Sequence, residues 1–254
     1  MKVLAVIPAR MAASRFPGKP LKKMLGMPLV EHCYHRTMLA KGISDVYVAT
    51  CDLEIFEYIE KIGGKAVMTS DSHDRASTRT AEALELIEQK TNQEFDVIIM
   101  MQGDEPLVKP ETISETLHHF DDPSVQIVNI MSKIISKDVF LDKNNVKVVT
   151  DSNSDALYFS REPIPSPWKG LESIPKYMQT GVITFRREAL IKFNLHEETT
   201  LERIESVDLN RVIESGGSVR MVASDNFTIG VDTEEELKLA ETFLKKDKIT
   251  KKYI

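Results

Sequence analysis

An aspartate follows a continuous apolar run in the middle of the chain, a placement that could serve phosphate or metal chemistry. Residues 97–101 read Val-Ile-Ile-Met-Met, and Gln102 and Gly103 separate them from Asp104. A run of this length is enough for a buried strand of a parallel sheet, and ligands of open α/β sheets bind beyond the carboxyl ends of the strands. We therefore expect Asp104 at the rim of a cleft, where it binds a hard cation such as Mg²⁺ beside phosphate oxygens or merely caps a turn.

Three cationic side chains follow the first apolar run of the chain, at residues 3–7. They are Arg10, Arg15 and Lys19, with small residues between them. Small residues let backbone N–H groups approach an anion, and arginine and lysine neutralise phosphate charge. The loop lacks the GxxxxGK[ST] motif, because a proline follows Lys19, and it lacks the GxGxxG of dinucleotide-binding folds. The pattern favours phosphate binding over a solvated basic loop.

Other charged residues also lie at predicted element ends. Asp232 follows a short apolar run, and Thr233 can cap the helix predicted over residues 234–244. Arg75 and Arg79 lie near the start of another predicted helix, where they suit an anion or the edge of a base.

These residues are carried by alternating strands and helices up to about residue 121, the βαβα pattern of a doubly wound sheet. The second half is dense in strands, and its hairpin character predicts a small mixed sheet that would suit a dimer contact. One helix is predicted from Leu201 to its end at Gly216-Gly217, and His32 and His35 are predicted to lie on a helix surface. Predicted strands cover residues 3–7, 45–50, 66–68, 97–101, 127–130, 146–149, 156–159, 182–185 and 219–222.

Composition narrows the class of protein. The 254 residues are 42% hydrophobic and 28% charged, which is ordinary for a globular protein. A net charge of −6 without a long basic block argues against binding to nucleic acid or to an anionic membrane. Two cysteines without metal spacing suit a reducing cytoplasm. The initial apolar run is too short and interrupted for a signal peptide, and no run reaches membrane-spanning length.

Six sequence blocks together resemble the 3-deoxy-manno-octulosonate (Kdo) cytidylyltransferase family, also called CMP-Kdo synthetases. The first block alone is less specific, because related sugar nucleotidylyltransferases share it. The blocks are Ile7-Pro8-Ala9-Arg10, Ser14-Arg15-Phe16-Pro17-Gly18-Lys19-Pro20, Gln102-Gly103-Asp104-Glu105-Pro106, Asn145-Val146-Lys147-Val148-Val149, Ala156-Leu157-Tyr158-Phe159-Ser160-Arg161 and Gly230-Val231-Asp232-Thr233.

The resemblance implies a nucleotide-diphospho-sugar transferase fold: Rossmann-like α/β, with a mainly parallel doubly wound sheet and a small mixed β-rich dimerisation subregion. It implies one domain over residues 1–254, with 1–121 mainly binding nucleotide and 122–245 serving the acceptor and a homodimer contact. It further implies that CTP and Kdo give a CMP-sugar and pyrophosphate with Mg²⁺, for lipopolysaccharide or capsule precursors. We expect the tail from residue 245 to be frayed.

Residue roles follow from the same resemblance. Arg10, Lys19 and Asp104 would be catalytic, and Asp104 and Asp232 would converge on Mg²⁺. The nucleotide-binding set would be Ala9, Arg10, Arg15, Lys19, Arg79 and Gln102. The acceptor-binding set would be Gln102, Arg161, Gln179, Glu202 and Glu205.

Two segments depart from the family pattern. Residues 75–79 read Arg-Ala-Ser-Thr-Arg where the family commonly has Ser-Gly-Thr-Glu-Arg, and residues 179–183 read Gln-Thr-Gly-Val-Ile where it commonly has His-Leu-Gly-Ile-Tyr. Gln179 thus replaces a potential cation by a neutral amide, and Arg75 adds a cation that could bind a carboxylate or phosphate.

These departures leave three functions open. A cytidylyltransferase acting on Kdo comes first. A cytidylyltransferase of the same fold could instead activate another anionic acceptor, such as a modified ulosonic acid or a phosphorylated or phosphonate small molecule. A catalytically silent nucleotide-binding protein is the third, and the retained carboxylates and cations argue against it.

Overall fold

The structure is a computed structural model that describes residues 1–12, 15–170, 175–226 and 228–254. Its strands are β1 Val3–Pro8, β2 Lys23–Met24, β3 Met27–Pro28, β4 Asp45–Thr50, β5 Ala66–Met68, β6 Val97–Met101, β7 Ile127–Lys133, β8 Lys147–Thr150, β9 Ala156–Ser160, β10 Tyr177–Arg186 and β11 Arg220–Ser224. Its helices are α1 Leu29–Met38, α2 Leu53–Lys61, α3 Ala76–Thr91, α4 Pro110–His118, α5 Lys137–Leu141, α6 Arg187–Leu195, α7 Thr200–Glu205, α8 Asn210–Glu214 and α9 Glu234–Leu244.

The central sheet has the order β11-β7-β10-β6-β1-β4-β5. Strands β6, β1, β4 and β5 run parallel, as does the β11–β7 pair. Helices α1, α2 and α4 pack on one face and α3 and α6 on the other. Because both faces are covered, β6 is buried along its whole length, which explains its continuous apolar sequence. The predicted doubly wound α/β fold is confirmed.

The strands of the second half join this sheet. Strand β10 runs antiparallel between β6 and β7, and β8 pairs with the beginning of β10 and with β9. The β10–β7 pairing has a register shift between Gln179 and Ile183. On its other edge, β10 pairs with β8 before this shift and with β6 after it begins. The antiparallel β8–β9–β10 unit is the counterpart of the predicted small mixed sheet, attached to the main sheet.

The prediction of a single helix from Leu201 to Gly216-Gly217 is wrong. The structure has two short helices, α7 and α8, separated by Ser206 at φ 52. The periodic apolar pattern is real, but Ser206 in the left-handed conformation ends α7. Thr199 and Glu202 form a capping box at the start of α7.

Two predictions, a frayed tail and a surface position for His32, are wrong, because the tail packs against His32. His32 is completely buried, and its ring nitrogens contact the Met24 carbonyl oxygen at 2.9 Å and the Tyr253 hydroxyl at 3.0 Å. Burial lowers the pKa of His32, so its ring is neutral at pH 7. Buried Arg36 donates to Asp247, Thr250 and Tyr253. The tail therefore docks on α1, a contact between distant segments that no local pattern reveals.

No helix of the described ranges combines the length and apolar character needed to cross a membrane.

Candidate active site

A cavity of about 330 Å³ opens at the carboxyl ends of β1 and β6. Gly103 allows these ends to approach each other, because a Cβ atom at this position would lie 3.2 Å from the Pro8 carbonyl oxygen. The lining residues come from the loops after β1, β5 and β6 and from the segment before α9. They include Ala9, Arg10, Arg15, Lys19, His73, Asp74, Arg75, Arg79, Gln102, Asp104 and Asp232.

The structure brings Asp104 and Asp232 together although they lie 128 positions apart in the sequence. The Val231 N–H donates to the Asp104 carbonyl oxygen at 2.9 Å, which fixes the two segments side by side. Lys19 Nζ donates to Asp104 Oδ2 at 2.8 Å and to Asp232 Oδ1 at 3.0 Å. Both carboxylates therefore face one position in the cavity, which an ammonium group holds.

Lys19 remains charged in this environment. Burial alone would lower its pKa, but the negative charges of Asp104 and Asp232 outweigh burial and raise the pKa above the ordinary value of lysine. Arg15 adds a second cation, because its Nη2 donates to Asp232 Oδ2 at 2.7 Å. Two cations and two carboxylates thus neutralise each other at the cavity rim.

Arg10 lines the cavity and contacts the loop after β5. Its Nη1 donates to the His73 carbonyl oxygen at 3.1 Å and to Asp74 Oδ1 at 3.3 Å. Ala9 is buried beside it and adds a small lining residue. Ser14, which belongs to one of the six sequence blocks, lies outside the described residues.

Arg79 and Gln102 also line the cavity. Arg79 is 2% exposed, and its guanidinium donates to Thr69 Oγ1 and to the Ser70 carbonyl oxygen. Gln102 packs tightly on Gly181, where a Cβ atom would lie 2.8 Å from the Gln102 Cβ. These contacts hold a fixed pair of hydrogen-bonding side chains above the strand ends.

Arg161 and Glu205 lie together next to the cavity but do not line it. The Arg161 N–H donates to Glu205 Oε2 at 2.8 Å, and its Nε donates to the Glu205 carbonyl oxygen at 2.6 Å. Burial would raise the pKa of Glu205, but hydrogen bonds from Arg161, Ser160 and Tyr158 lower it, so the carboxylate stays ionised.

Two further predicted acceptor-binding residues do not line the cavity either. Glu202 is completely buried, and both of its carboxylate oxygens accept from Arg211, at 2.7 and 2.6 Å. A carboxylate with these partners serves the α7–α8 packing, and we do not include it in the acceptor site. Gln179 lies at the register shift of β10, where its N–H donates to the Val146 carbonyl oxygen, and it does not line the cavity.

Arg75 reaches the cavity, but its charge is already paired. Its guanidinium donates to Glu198 Oε1 at 3.1 Å and to Asp208 Oδ1 at 3.0 Å. The sequence could not show these partners, which lie more than 100 positions away. As placed, Arg75 links the start of α3 to the segments around α7.

Glu105 is a site-supporting residue that the sequence reasoning missed. Its carboxylate accepts from the Gly181 N–H at 2.9 Å and from the Thr228 hydroxyl. Burial raises the pKa of Glu105, and the nearby Asp104 charge acts in the same direction. Its place directly after Asp104 was the available signal. The contacts join the end of β6 to β10 and to the segment that carries Asp232.

A cationic cleft at the strand ends of a mostly parallel sheet, with two convergent carboxylates, is typical of enzymes that transfer nucleotidyl groups. A family model described as cytidylyltransferase matches residues 4–225. The chain is 38% identical to the 3-deoxy-manno-octulosonate cytidylyltransferase of Syntrophus aciditrophicus over 93% of this chain and 94% of that protein. The corresponding protein of Fusobacterium nucleatum is 35% identical, over 98% and 99%.

A solved structure agrees with these matches. CMP:2-keto-3-deoxy-manno-octonic acid synthetase, complexed with CTP, superposes with a TM-score of 0.86 at 33% identity, covering 97% of this chain and 99% of that one. The chain belongs to the 3-deoxy-manno-octulosonate cytidylyltransferase family. Nucleotidyltransferases of this family usually use a divalent metal ion.

Proposed function

We propose that the chain transfers CMP from CTP to 3-deoxy-manno-octulosonate and releases pyrophosphate. The observation that carries the proposal is the pairing of Lys19 with both Asp104 and Asp232 inside a cavity that Arg10 and Arg15 also line. Cations suit a triphosphate, and two carboxylates suit the metal that accompanies it. The family membership identifies CTP as the nucleotide and Kdo as the acceptor in this proposal.

The donor set fits Mg²⁺. The described residues contain no group of three or more His, Cys, Asp or Glu side chains that could hold a metal. Mg²⁺ usually takes only one or two protein carboxylates and completes its octahedron with water and phosphate oxygens. Asp104 and Asp232, which already share a cation, would therefore hold it. When bound, the metal withdraws negative charge from the phosphate oxygens.

The reaction needs positioning more than covalent help. A hydroxyl oxygen of the acceptor forms a bond to the α-phosphorus of CTP, and the bond from that phosphorus to the bridging oxygen of pyrophosphate breaks. The hydroxyl proton passes to solvent. Arg10, Arg15 and Lys19 would bind the triphosphate and stabilise the charge that moves onto pyrophosphate. Arg79 and Gln102 would line the nucleotide site.

The acceptor would lie between Gln102 and the Arg161–Glu205 pair. Among the described contacts, the Arg161 guanidinium donates to three backbone carbonyl oxygens and to no carboxylate. Its positive charge therefore stays available for the carboxylate of a ulosonic acid. Glu205, held by three donors, orients Arg161.

We also propose a homodimer, and a cytoplasmic location because two cysteines without metal spacing suit a reducing compartment. Residues 1–121 would mainly bind nucleotide, and residues 122–245 would serve the acceptor and the dimer contact. Exposed apolar side chains in the second half support that contact, with Ile135 80%, Leu157 58% and Trp168 88% exposed. Light scattering should give twice the chain mass of 28.7 kDa, and Leu157→Asp should shift it towards monomer while Leu53→Asp, in α2, should not.

A different anionic acceptor remains the second candidate, because Gln179 and Ile183 replace two side chains that the family commonly has. A comparison of kcat/KM for Kdo with the values for other ulosonic acids and for phosphorylated or phosphonate acceptors tests it, repeated with Gln179→His. We expect Kdo to have the highest value. A higher value for another acceptor, together with improved Kdo turnover in Gln179→His, would assign the second function.

A further inference from the structure

Lys147 is a buried cation that the proposed mechanism does not use. It lies in β8 and is 0% exposed, and among the described residues it is the only lysine that is buried. Its Nζ donates to the carbonyl oxygens of Asp142, at 2.9 Å, of Asn145, at 2.6 Å, and of Arg161. No carboxylate of a described residue lies within ion-pair distance of this ammonium group.

An ammonium group in this position is costly, because burial disfavours its charged form and lowers its pKa. The three carbonyl oxygens compensate for lost water, but a methionine or leucine would fill the same space without that cost. The specific gain from lysine is that one atom joins carbonyls from two separate segments: the loop at residues 142–145 and the residue that follows β9.

Both segments are connected by hydrogen bonds to residues that line the cavity. In the loop, Asn144 Oδ1 accepts from Arg15 at 3.1 Å, and the Lys143 carbonyl oxygen accepts from Arg161 at 3.0 Å. Arg161 also donates to the Ser206 carbonyl oxygen at 3.3 Å. Arg75 approaches the Ser206 hydroxyl at 3.5 Å.

These contacts form a continuous series that we call the acceptor-side rim: Arg15, Asn144, Lys143, Arg161, Ser206 and Arg75. Its two ends, Arg15 and Arg75, line the cavity. Lys147 lies below its centre, where the loop and Arg161 meet.

We propose that Lys147 is a positioning residue for the acceptor, because its ammonium group fixes the loop at residues 142–145 against Arg161 and so sets the acceptor-side rim. The proposal rests on the proposed function, in which Arg161 binds the acceptor carboxylate. Lys147 itself does not touch substrate. Its loss should therefore weaken acceptor binding more than CTP binding, because Arg10 and Lys19, two of the three proposed triphosphate-binding cations, make their contacts outside the rim.

The test compares Lys147→Met, which keeps the aliphatic length and removes the donors, with Ile59→Ala, a cavity-creating variant in α2 away from the cavity. We expect Lys147→Met to raise KM for Kdo by about tenfold or more, with a smaller change in kcat and with the CTP dissociation constant within about twofold of wild type. Amide hydrogen exchange should become faster at residues 142–145 and 161. Ile59→Ala should lower thermal stability without changing KM for Kdo or the CTP dissociation constant.

Two results would overturn the proposal: an unchanged KM for Kdo in folded Lys147→Met, or an equal weakening of Kdo and CTP binding with faster exchange throughout the chain. If Lys147→Met does not fold, Ser160→Ala, which removes one donor to Glu205, should raise KM for Kdo in the same direction by about threefold, and no change would count against the proposal. If wild type does not use Kdo, the proposed function fails, and the same comparison with the acceptor that it does use decides on Lys147.

Discussion

Mutual neutralisation of opposite charges is the main feature of this site at the scale of single residues. Lys19 and Arg15 pair with Asp104 and Asp232. The two cations are proposed to bind the triphosphate of CTP, and the two carboxylates are proposed to bind the metal ion. Each ligand must therefore break the same ion pairs before it can bind. CTP draws the cations away and frees the carboxylates, so binding of CTP and of Mg²⁺ should be reciprocally coupled.

Asp104→Asn changes charge with little change of shape. We expect kcat to fall at least about 100-fold, because the metal and its charge stabilisation are lost. Thermal stability should change little, since the side chain is partly exposed. Steady-state kinetics at saturating Mg²⁺ measures the effect, and near-normal turnover would remove Asp104 from the metal site.

Lys19→Met should act in opposite directions on the two ligands. It should lower kcat/KM for CTP by about 100-fold, because a phosphate-binding cation is lost. It should also tighten binding of Mn²⁺ in the absence of CTP, because no ammonium group then competes for Asp104 and Asp232. Electron paramagnetic resonance measures free Mn²⁺, and exposed Lys22→Met is the matched control. Weaker Mn²⁺ binding in Lys19→Met would contradict the coupling.

Secondary-structure elements bring these residues together, and the contact between β10 and the end of β6 is the tightest example. Gly181 accepts the Gln102 N–H through its carbonyl oxygen at 2.8 Å and donates its own N–H to Glu105. Its lack of a side chain lets Gln102 pack directly on the strand.

Gly181→Ala should therefore displace Gln102, because the added methyl group would lie 2.8 Å from the Gln102 Cβ. We expect kcat/KM to fall by about tenfold or more. Gly230→Ala is a matched control, since a Cβ atom there meets nothing within 4 Å. Wild-type kinetics in Gly181→Ala, or equal losses in both variants, would show that the packing of Gln102 does not matter.

Prediction from sequence succeeded where a local pattern determines the element. Residues 45–50, 66–68, 97–101 and 234–244 have the predicted bounds, because short buried strands are apolar runs and Thr233 caps α9 through its hydroxyl. The convergence of Asp104 and Asp232 followed from the family resemblance. Pairings between residues distant in sequence could not be predicted, because no local pattern reveals them: Glu202 pairs with Arg211, and Arg75 pairs with Glu198 and Asp208.

The docked C-terminal tail is connected to the segment after Asp104 through Arg36 of α1. Arg36 is 1% exposed and donates to the Val108 carbonyl oxygen at 3.0 Å, as well as to Asp247 and Tyr253 in the tail. Val108 follows the segment that carries Asp104. The residues beyond α9 thus help to hold the segment after Asp104 in place, although they lie outside the segment that the family model matches.

Asp247→Asn should destabilise the fold by about 2 kcal/mol, because it leaves a buried guanidinium without its charge partner, and the partial exposure of Asp247 reduces the effect below that of a fully buried pair. Urea unfolding at pH 7 measures it, with the exposed Asp121→Asn as control. Equal free energies of unfolding for the two variants would show that the Arg36–Asp247 contact does not stabilise the fold.

Direct detection of the product tests the central claim of CMP transfer to Kdo. Purified protein, CTP, Kdo and Mg²⁺ should yield pyrophosphate and a phosphodiester-linked CMP-sugar in equal amounts, followed by ³¹P nuclear magnetic resonance, and ATP or GTP in place of CTP should give far less. Selectivity for CTP would follow from hydrogen bonds that a purine leaves unpaired. Absence of the phosphodiester signal, or equal yields with every nucleotide, would contradict the claim.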